Sequence, residues 1–266
     1  MAISIAVSSG KGGVGKTSIS VNLALTLRNL GSRVYLFDSD YGMANAHVLM
    51  GINPQHAIDE LISETVDVQS VACDGPNGLK LISGGAGLVE MLNIEKKVRY
   101  QTIRAMNGLA NDTDYLVADV AAGASDSSIA FVAAADRILV ILVGEPTSFL
   151  DAYALIKAAN LETGAHHFNV MVNMASTDTV ARSHFDKFQA TVMKFLDVTL
   201  HYVGSFPMSN KLRQSIVARR PVVLDPKNKT EITALQRIAA NLIRSPINQT
   251  DGIKFFDKPE PDETET

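Results

Sequence analysis

Eight consecutive residues, Gly10-Lys11-Gly12-Gly13-Val14-Gly15-Lys16-Thr17, contain four glycines, two lysines and a threonine, a combination suited to holding phosphate. The spacing fits G-x-x-x-x-G-K-[ST]. Glycines let the backbone curl until successive N–H groups point inward at phosphate oxygens, and a helix that follows directly adds the positive end of its dipole. In such a loop Gly10, Gly12, Gly13, Val14, Gly15 and Ser18 line the phosphates. Lys16 neutralises β- and γ-phosphate charge, and the Thr17 hydroxyl is a ligand for Mg²⁺. Lys11 is surplus to that pattern. It puts a second flexible cation beside the phosphates, within reach of its own nucleotide or of one on a facing subunit.

Carboxylates recur at two further points. The apolar run Arg33–Asp38 ends in Asp38-Ser39-Asp40, and Tyr115–Asp119 ends in Asp119-Val120-Ala121-Ala122-Gly123. In open α/β sheets ligands bind beyond the carboxyl ends of the strands, so these acids would stand beside the phosphate loop. Asp119 after an apolar strand is suited to holding Mg²⁺ through water, and Gly123 to bringing a backbone N–H to the γ-phosphate. A single strand-end aspartate is more often a cap for the next turn, and Asp38 fits a metal shell and such a cap equally well.

The elements that must position these groups are legible from periodicity. Near-continuous apolar runs predict strands at Ile3–Ser8, Arg33–Asp38, Leu79–Ser83, Tyr115–Asp119, Arg137–Val143, Phe168–Asn173 and Leu200–Phe206, the pattern of strands covered on both faces. Helical patterns fall near 16–30, 96–110, 125–135, 148–163, 179–195, 209–219 and 229–244. In the fourth, Ser148-x-x-Asp151 fits a capping pattern. Alternation of this kind predicts an α/β fold: a mostly parallel sheet with helices on both faces, in three layers. Residues 1–244 are expected to form one P-loop ATPase domain and 245–266 a flexible acidic tail.

Composition narrows the function classes. The chain has 266 residues, 46% hydrophobic and 20% charged, with a net charge of −4, which excludes disorder of the body. No apolar run approaches the roughly 18 residues of a membrane span. Cys73 is the sole cysteine, so there is neither an intrachain disulfide nor a cysteine cage, and a reducing cytoplasm is the expected compartment. Residues 257–266 carry five acids and one lysine, which leaves the rest near neutral. Residues 210–244 hold eight Lys/Arg against two acids. That stretch reads as a solvated helical face or as a patch for a partner, and nucleic acid is not an expected partner.

The intact Lys11–Thr17 run, KGGVGKT, resembles the signature of the MinD/ParA family of dimerising ATPases, and the likeness extends to about residue 244. It implies an ATP-dependent homodimer that hydrolyses ATP slowly with Mg²⁺. Lys16 and Asp40 would be catalytic, with Asp40 positioning the attacking water. Asp38 would support the metal shell formed with Thr17 and Asp119, and Lys11 would act across the dimer. Asn173 and Pro207 match the family's adenine-binding positions, and the lack of an N-K-x-D motif favours ATP over GTP. Asp38–Gly51, Asp119–Asp126 and Glu145–Lys157 (EPTSFLDAYALIK) are similar to the flagellar-number regulators of the family. These restrain a flagellar transcriptional activator and act on the GTPase FlhF. The helix that stimulates that GTPase in many members is not among these residues, and direct stimulation is not expected of them. Relatives also end in a membrane-targeting helix; Gly252–Phe256 is short for that, and the acids after it oppose an anionic leaflet. The expected location is therefore cytoplasmic, with peripheral contact at the membrane or cell pole left open. Iron–sulfur donors on this fold need two cysteines per subunit, which excludes them.

Overall fold

A computed structural model describes residues 2–41, 44–56, 58, 67–84, 96–250 and 252–256. The strands are β1 (Ile3–Ser8), β2 (Val34–Asp38), β3 (Cys73–Asp74), β4 (Lys80–Ser83), β5 (Tyr115–Asp119), β6 (Arg137–Leu142), β7 (His167–Ala175) and β8 (Thr199–Pro207). They form one sheet in the order β3-β4-β2-β5-β1-β6-β7-β8. Only β3 runs antiparallel to its neighbour among the described residues. All seven predicted strands are present; β3, two residues long at the sheet edge, has no apolar run to announce it.

The helices are α1 (Lys16–Asn29), α2 (Ala46–Met50), α3 (Val68–Val71), α4 (Lys96–Ala105), α5 (Asp126–Ala134), α6 (Pro146–Thr163), α7 (Asp178–Val192), α8 (Asn210–Val217) and α9 (Lys229–Arg244). Ile103, Ile129, Ile156 and Phe185 of α4 to α7 cover one face of the sheet, and Ile19, Leu23, Leu235 and Ile238 of α1 and α9 cover the other. This is the expected three-layer α/β arrangement, and it explains the strand sequences: β6 is buried at every position, so no residue in it alternates toward solvent. Side chains of Ser125, Thr177 and Ser209 cap α5, α7 and α8, each satisfying an N–H left open at a helix start.

Two expectations need correction. Helix α6 begins at Pro146, where a proline costs no hydrogen bond, and not at Ser148; the Ser148 hydroxyl instead accepts the Val143 N–H at 3.1 Å. The segment after α9 is not a free tail as far as residue 256. Asn248 accepts the N–H groups of His166 and His167 and donates to the His167 carbonyl at 2.8 Å. Phe255 is fully buried, stacked on Phe131 at 6.3 Å between ring centroids and edge-on to Phe37. Two adjacent aromatics supply enough apolar area to anchor a segment that lacks periodicity. Residues 257–266 lie outside the described residues, as do Gly42 and Met43 of the Asp38–Gly51 segment.

Candidate active site

The phosphate loop leaves the carboxyl end of β1 in the middle of the sheet, between β5 and β6, and feeds into α1. Gly13 and Gly15 take positive φ values of 79° and 84°, left-handed backbone that glycine adopts without strain. Gly10 has a different reason to be glycine. A Cβ there would lie 2.1 Å from the Asp151 carbonyl carbon and 2.3 Å from the Ala152 nitrogen, so the loop rests directly on the backbone of α6.

Above the loop is a cavity of about 410 Å³, lined by Lys11, Gly12, Gly13, Gly15, Lys16, Thr17, Ser18 and Asp40 together with Ser9, Asn45, Ala121 and Ala122. Residues predicted from distant parts of the sequence thus meet. Lys16 is buried and its Nζ lies 2.6 Å from Asp119 Oδ1, where Ser20 also donates at 2.8 Å. Asp119 Oδ2 is buried and has no hydrogen-bond partner among the described residues. A buried carboxylate oxygen left open in this way is placed to accept from a water or to face a cation. With Thr17 and Asp40 nearby, the donors are all hard oxygens, which fit a hydrated Mg²⁺.

Asp38 caps the turn that follows β2. Its carboxylate accepts the N–H groups of Asn45 and Ala46 at 2.9 Å and of Asp40 at 3.2 Å. It therefore shapes the turn that carries Asp40. Burial, then the neighbouring Asp119, pushes Asp38 up to about 7, against the pull of those N–H groups and of Lys16. Three other predicted residues make contacts of their own around the loop. The Gly123 N–H donates to the Ser9 carbonyl at 2.9 Å and must leave it to meet a phosphate. Asn173 is buried, with its Nδ2 on the Val14 carbonyl at 2.7 Å and its Oδ1 taking the Met174 N–H, so it braces the loop from β7. Lys11 extends to the start of α6, 2.7 Å from Glu145 and 3.0 Å from Thr147. Pro207 lines a second cavity of about 400 Å³ with Thr177, Asp178, Ser205 and Arg237. There Arg237 donates to both Asp178 oxygens at 2.9 Å, and Ser205 also donates to Asp178. The Arg237 contact lowers the Asp178 pKa.

Sequence reasoning missed Ser20, Glu145 and Thr147. Ser20 follows Lys16 by one helical turn, a spacing that places both on one face. Glu145 stands in a segment that had been singled out, but its pairing with Lys11 spans 134 positions and has no local signal.

A family model named ParA and described as the NUBPL iron-transfer P-loop NTPase matches residues 1–243. The antiactivator FleN of Pseudomonas aeruginosa is 38% identical over 95% of this chain and 91% of its own length. The flagellum site-determining protein YlxH of Helicobacter pylori is 30% identical over 90% of this chain and 81% of its own. Among solved structures, the MinC:MinD cell division complex of Aquifex aeolicus superposes with a TM-score of 0.76 at 24% identity, covering 92% of this chain and 98% of that one. MinD of Pyrococcus horikoshii complexed with Mg-ADP gives 0.76 at 18%, with 92% and 97% covered. At such identities the structures speak for the fold. The family match and the FleN likeness go further, and together with the loop they show that the chain belongs to the MinD/ParA family of P-loop ATPases.

Proposed function

We propose that this protein is an ATP-driven monomer–dimer switch that limits flagellar number by restraining a flagellar transcriptional activator. The observation that carries the reading is the convergence of Lys11, Lys16, Thr17 and Asp40 on one cavity, with Lys11 turned outward to α6. Phosphoryl transfer to water needs positioning and charge neutralisation more than covalent chemistry. Thr17 and, through water, Asp119 would hold Mg²⁺, which would supply charge neutralisation at the phosphates. Lys16 exchanges Asp119 for the phosphates. Asp40, on the turn anchored by Asp38, orients the attacking water.

The two lysines differ in how freely they move. The Lys11–Glu145 pair has side chains 31% and 63% exposed, and such pairs are worth about 0–1 kcal/mol, so Lys11 leaves it at little cost to meet a facing subunit's nucleotide. Lys16 is buried and is not free in that way. If Lys11 serves in trans, turnover per protomer rises with protein concentration. Asp40→Ala and Lys11→Ala are each expected to flatten that rise and lower turnover by about a hundredfold or more, measured as phosphate release across a dilution series. Equal turnover per protomer at every concentration in the unaltered protein would refute the dimer requirement.

The flagellar reading draws on the roles for which two relatives are named, antiactivator and flagellum site-determining protein. Counting flagella per cell after gene deletion tests it: extra flagella, not corrected by Asp40→Ala, support it. Unchanged flagella with division or cargo defects favour a septum- or cargo-positioning role instead, as in the MinD relative of Bacillus subtilis at 28% identity. Iron transfer is not part of the reading, because one cysteine does not supply a pair of thiolates. Direct action on FlhF and contact with a membrane surface are not needed by it.

The activator's docking place is assigned to the apolar groove of about 390 Å³ between α6 and α7. Leu150 and Phe195 there are 69% and 70% exposed, and the groove continues from Pro146, next to the Glu145 that holds Lys11. Release of Lys11 thus alters the end of the helix that lines the groove. Phe195→Ser is expected to abolish restraint of flagellar number while phosphate release stays within twofold. Intact restraint would exclude the groove.

A further inference from the structure

Histidines His167 and His201 lie on β7 and β8 at the end of the sheet opposite the phosphate loop. The parallel register sets Asn169 against His201 and His167 against Thr199, so the two histidines share one face on a diagonal. His201 Nε2 lies 3.4 Å from His167 Nδ1, with ring centroids 5.5 Å apart and planes at 41°. That separation is long for an N–H hydrogen bond, which is usually about 2.7–3.2 Å. Two imidazole nitrogens on one tetrahedral zinc, each at about 2.05 Å, stand about 3.3 Å apart. The spacing therefore suits a chelating pair better than a hydrogen-bonded one.

We propose that His167 and His201 form a two-histidine site for a divalent transition ion of the zinc class. Imidazole nitrogen favours zinc, nickel and copper, whereas Mg²⁺ and Ca²⁺ take oxygen ligands. His167 binds through Nδ1 and His201 through Nε2, which requires both rings neutral. No third His, Cys, Asp or Glu completes the set among the described residues, so water fills the remaining positions and the ion exchanges freely.

The placement gives the ion a structural reach beyond its two ligands. Asn248 holds the backbone of His167 at both its N–H and its carbonyl, so an ion here clips edge strand β8 to β7 where the C-terminal segment is pinned to the sheet.

The test is calorimetric titration of the full untagged chain with zinc chloride, in saturating Mg-ADP so that the phosphate-loop carboxylates are occupied. One zinc per chain is expected at low-micromolar affinity, with a rise in unfolding temperature. His167→Gln and His201→Gln should each weaken binding at least tenfold and remove that rise. Their unchanged phosphate release shows that they fold. Undiminished zinc binding in both variants, or no zinc uptake by the unaltered chain, would overturn the proposal and leave the pair as a packing contact between strands.

Discussion

Lys16→Ala should remove ATP turnover and, in the same protein without nucleotide, lower the unfolding temperature. The first effect follows from the lost charge at the phosphates, an interaction worth at least about a hundredfold in rate. The second follows from the pairing of Lys16 Nζ with Asp119 Oδ1 at 2.6 Å, both groups buried. Alanine leaves Asp119 with Ser20 and with a second buried acid, Asp38, nearby. Removing one partner of a buried pair costs about 3–5 kcal/mol. At about 2–4 °C per kcal/mol for chains of this general size, the melting point drops by at least about 6 °C. Lys16→Ala with Asp119→Asn removes both charges and should recover most of the stability but none of the turnover. Thermal unfolding of the three variants checks this. An unchanged melting point in Lys16→Ala would mean that the pair does not support the fold.

Gly10→Ala should lower ATP affinity at least tenfold although its side chain would never face the nucleotide. The added methyl carbon meets backbone atoms of Asp151 and Ala152 at 2.1–2.4 Å, and backbone within a helix has no rotamer to move aside. Either the loop lifts or the start of α6 shifts, and overpacking of this kind typically costs about 1–3 kcal/mol. Titration with a fluorescent ATP analogue measures the binding loss. Asp151→Ala added to Gly10→Ala should not rescue it, because the clash is with main chain. Rescue would show that the Asp151 side chain, and not its backbone, sets the limit.

What the sequence reveals here depends on whether a signal is local. Parallel strands buried on both faces read as apolar runs, so β1, β2 and β4 to β8 and their order along the chain were legible, as was the convergence of Lys16, Asp40 and Asp119 at strand ends. The phosphate-loop glycines were legible as a pattern, but the reason for Gly10 lies in α6, far along the chain. Asp38 fits a metal shell or a cap by sequence, and the N–H groups that it caps lie seven and eight positions on. Glu145 and Asn173 act on the loop across more than a hundred positions. Phe255 and Phe256 stood out as apolar in a polar, proline-containing stretch, yet without periodicity nothing indicated that they enter the core.

Phe255 has a bearing on when the site is finished. Its ring packs on Phe131 and Phe37, and Phe37 and Tyr41, themselves in edge contact, bracket the Asp38–Asp40 turn in sequence. Residues 252–256 come after all eight strands, so during synthesis the whole sheet and its phosphate loop leave the ribosome before this aromatic wall is complete. A nascent chain can therefore complete its sheet and phosphate loop before the turn that carries Asp40 is backed by the last aromatic ring.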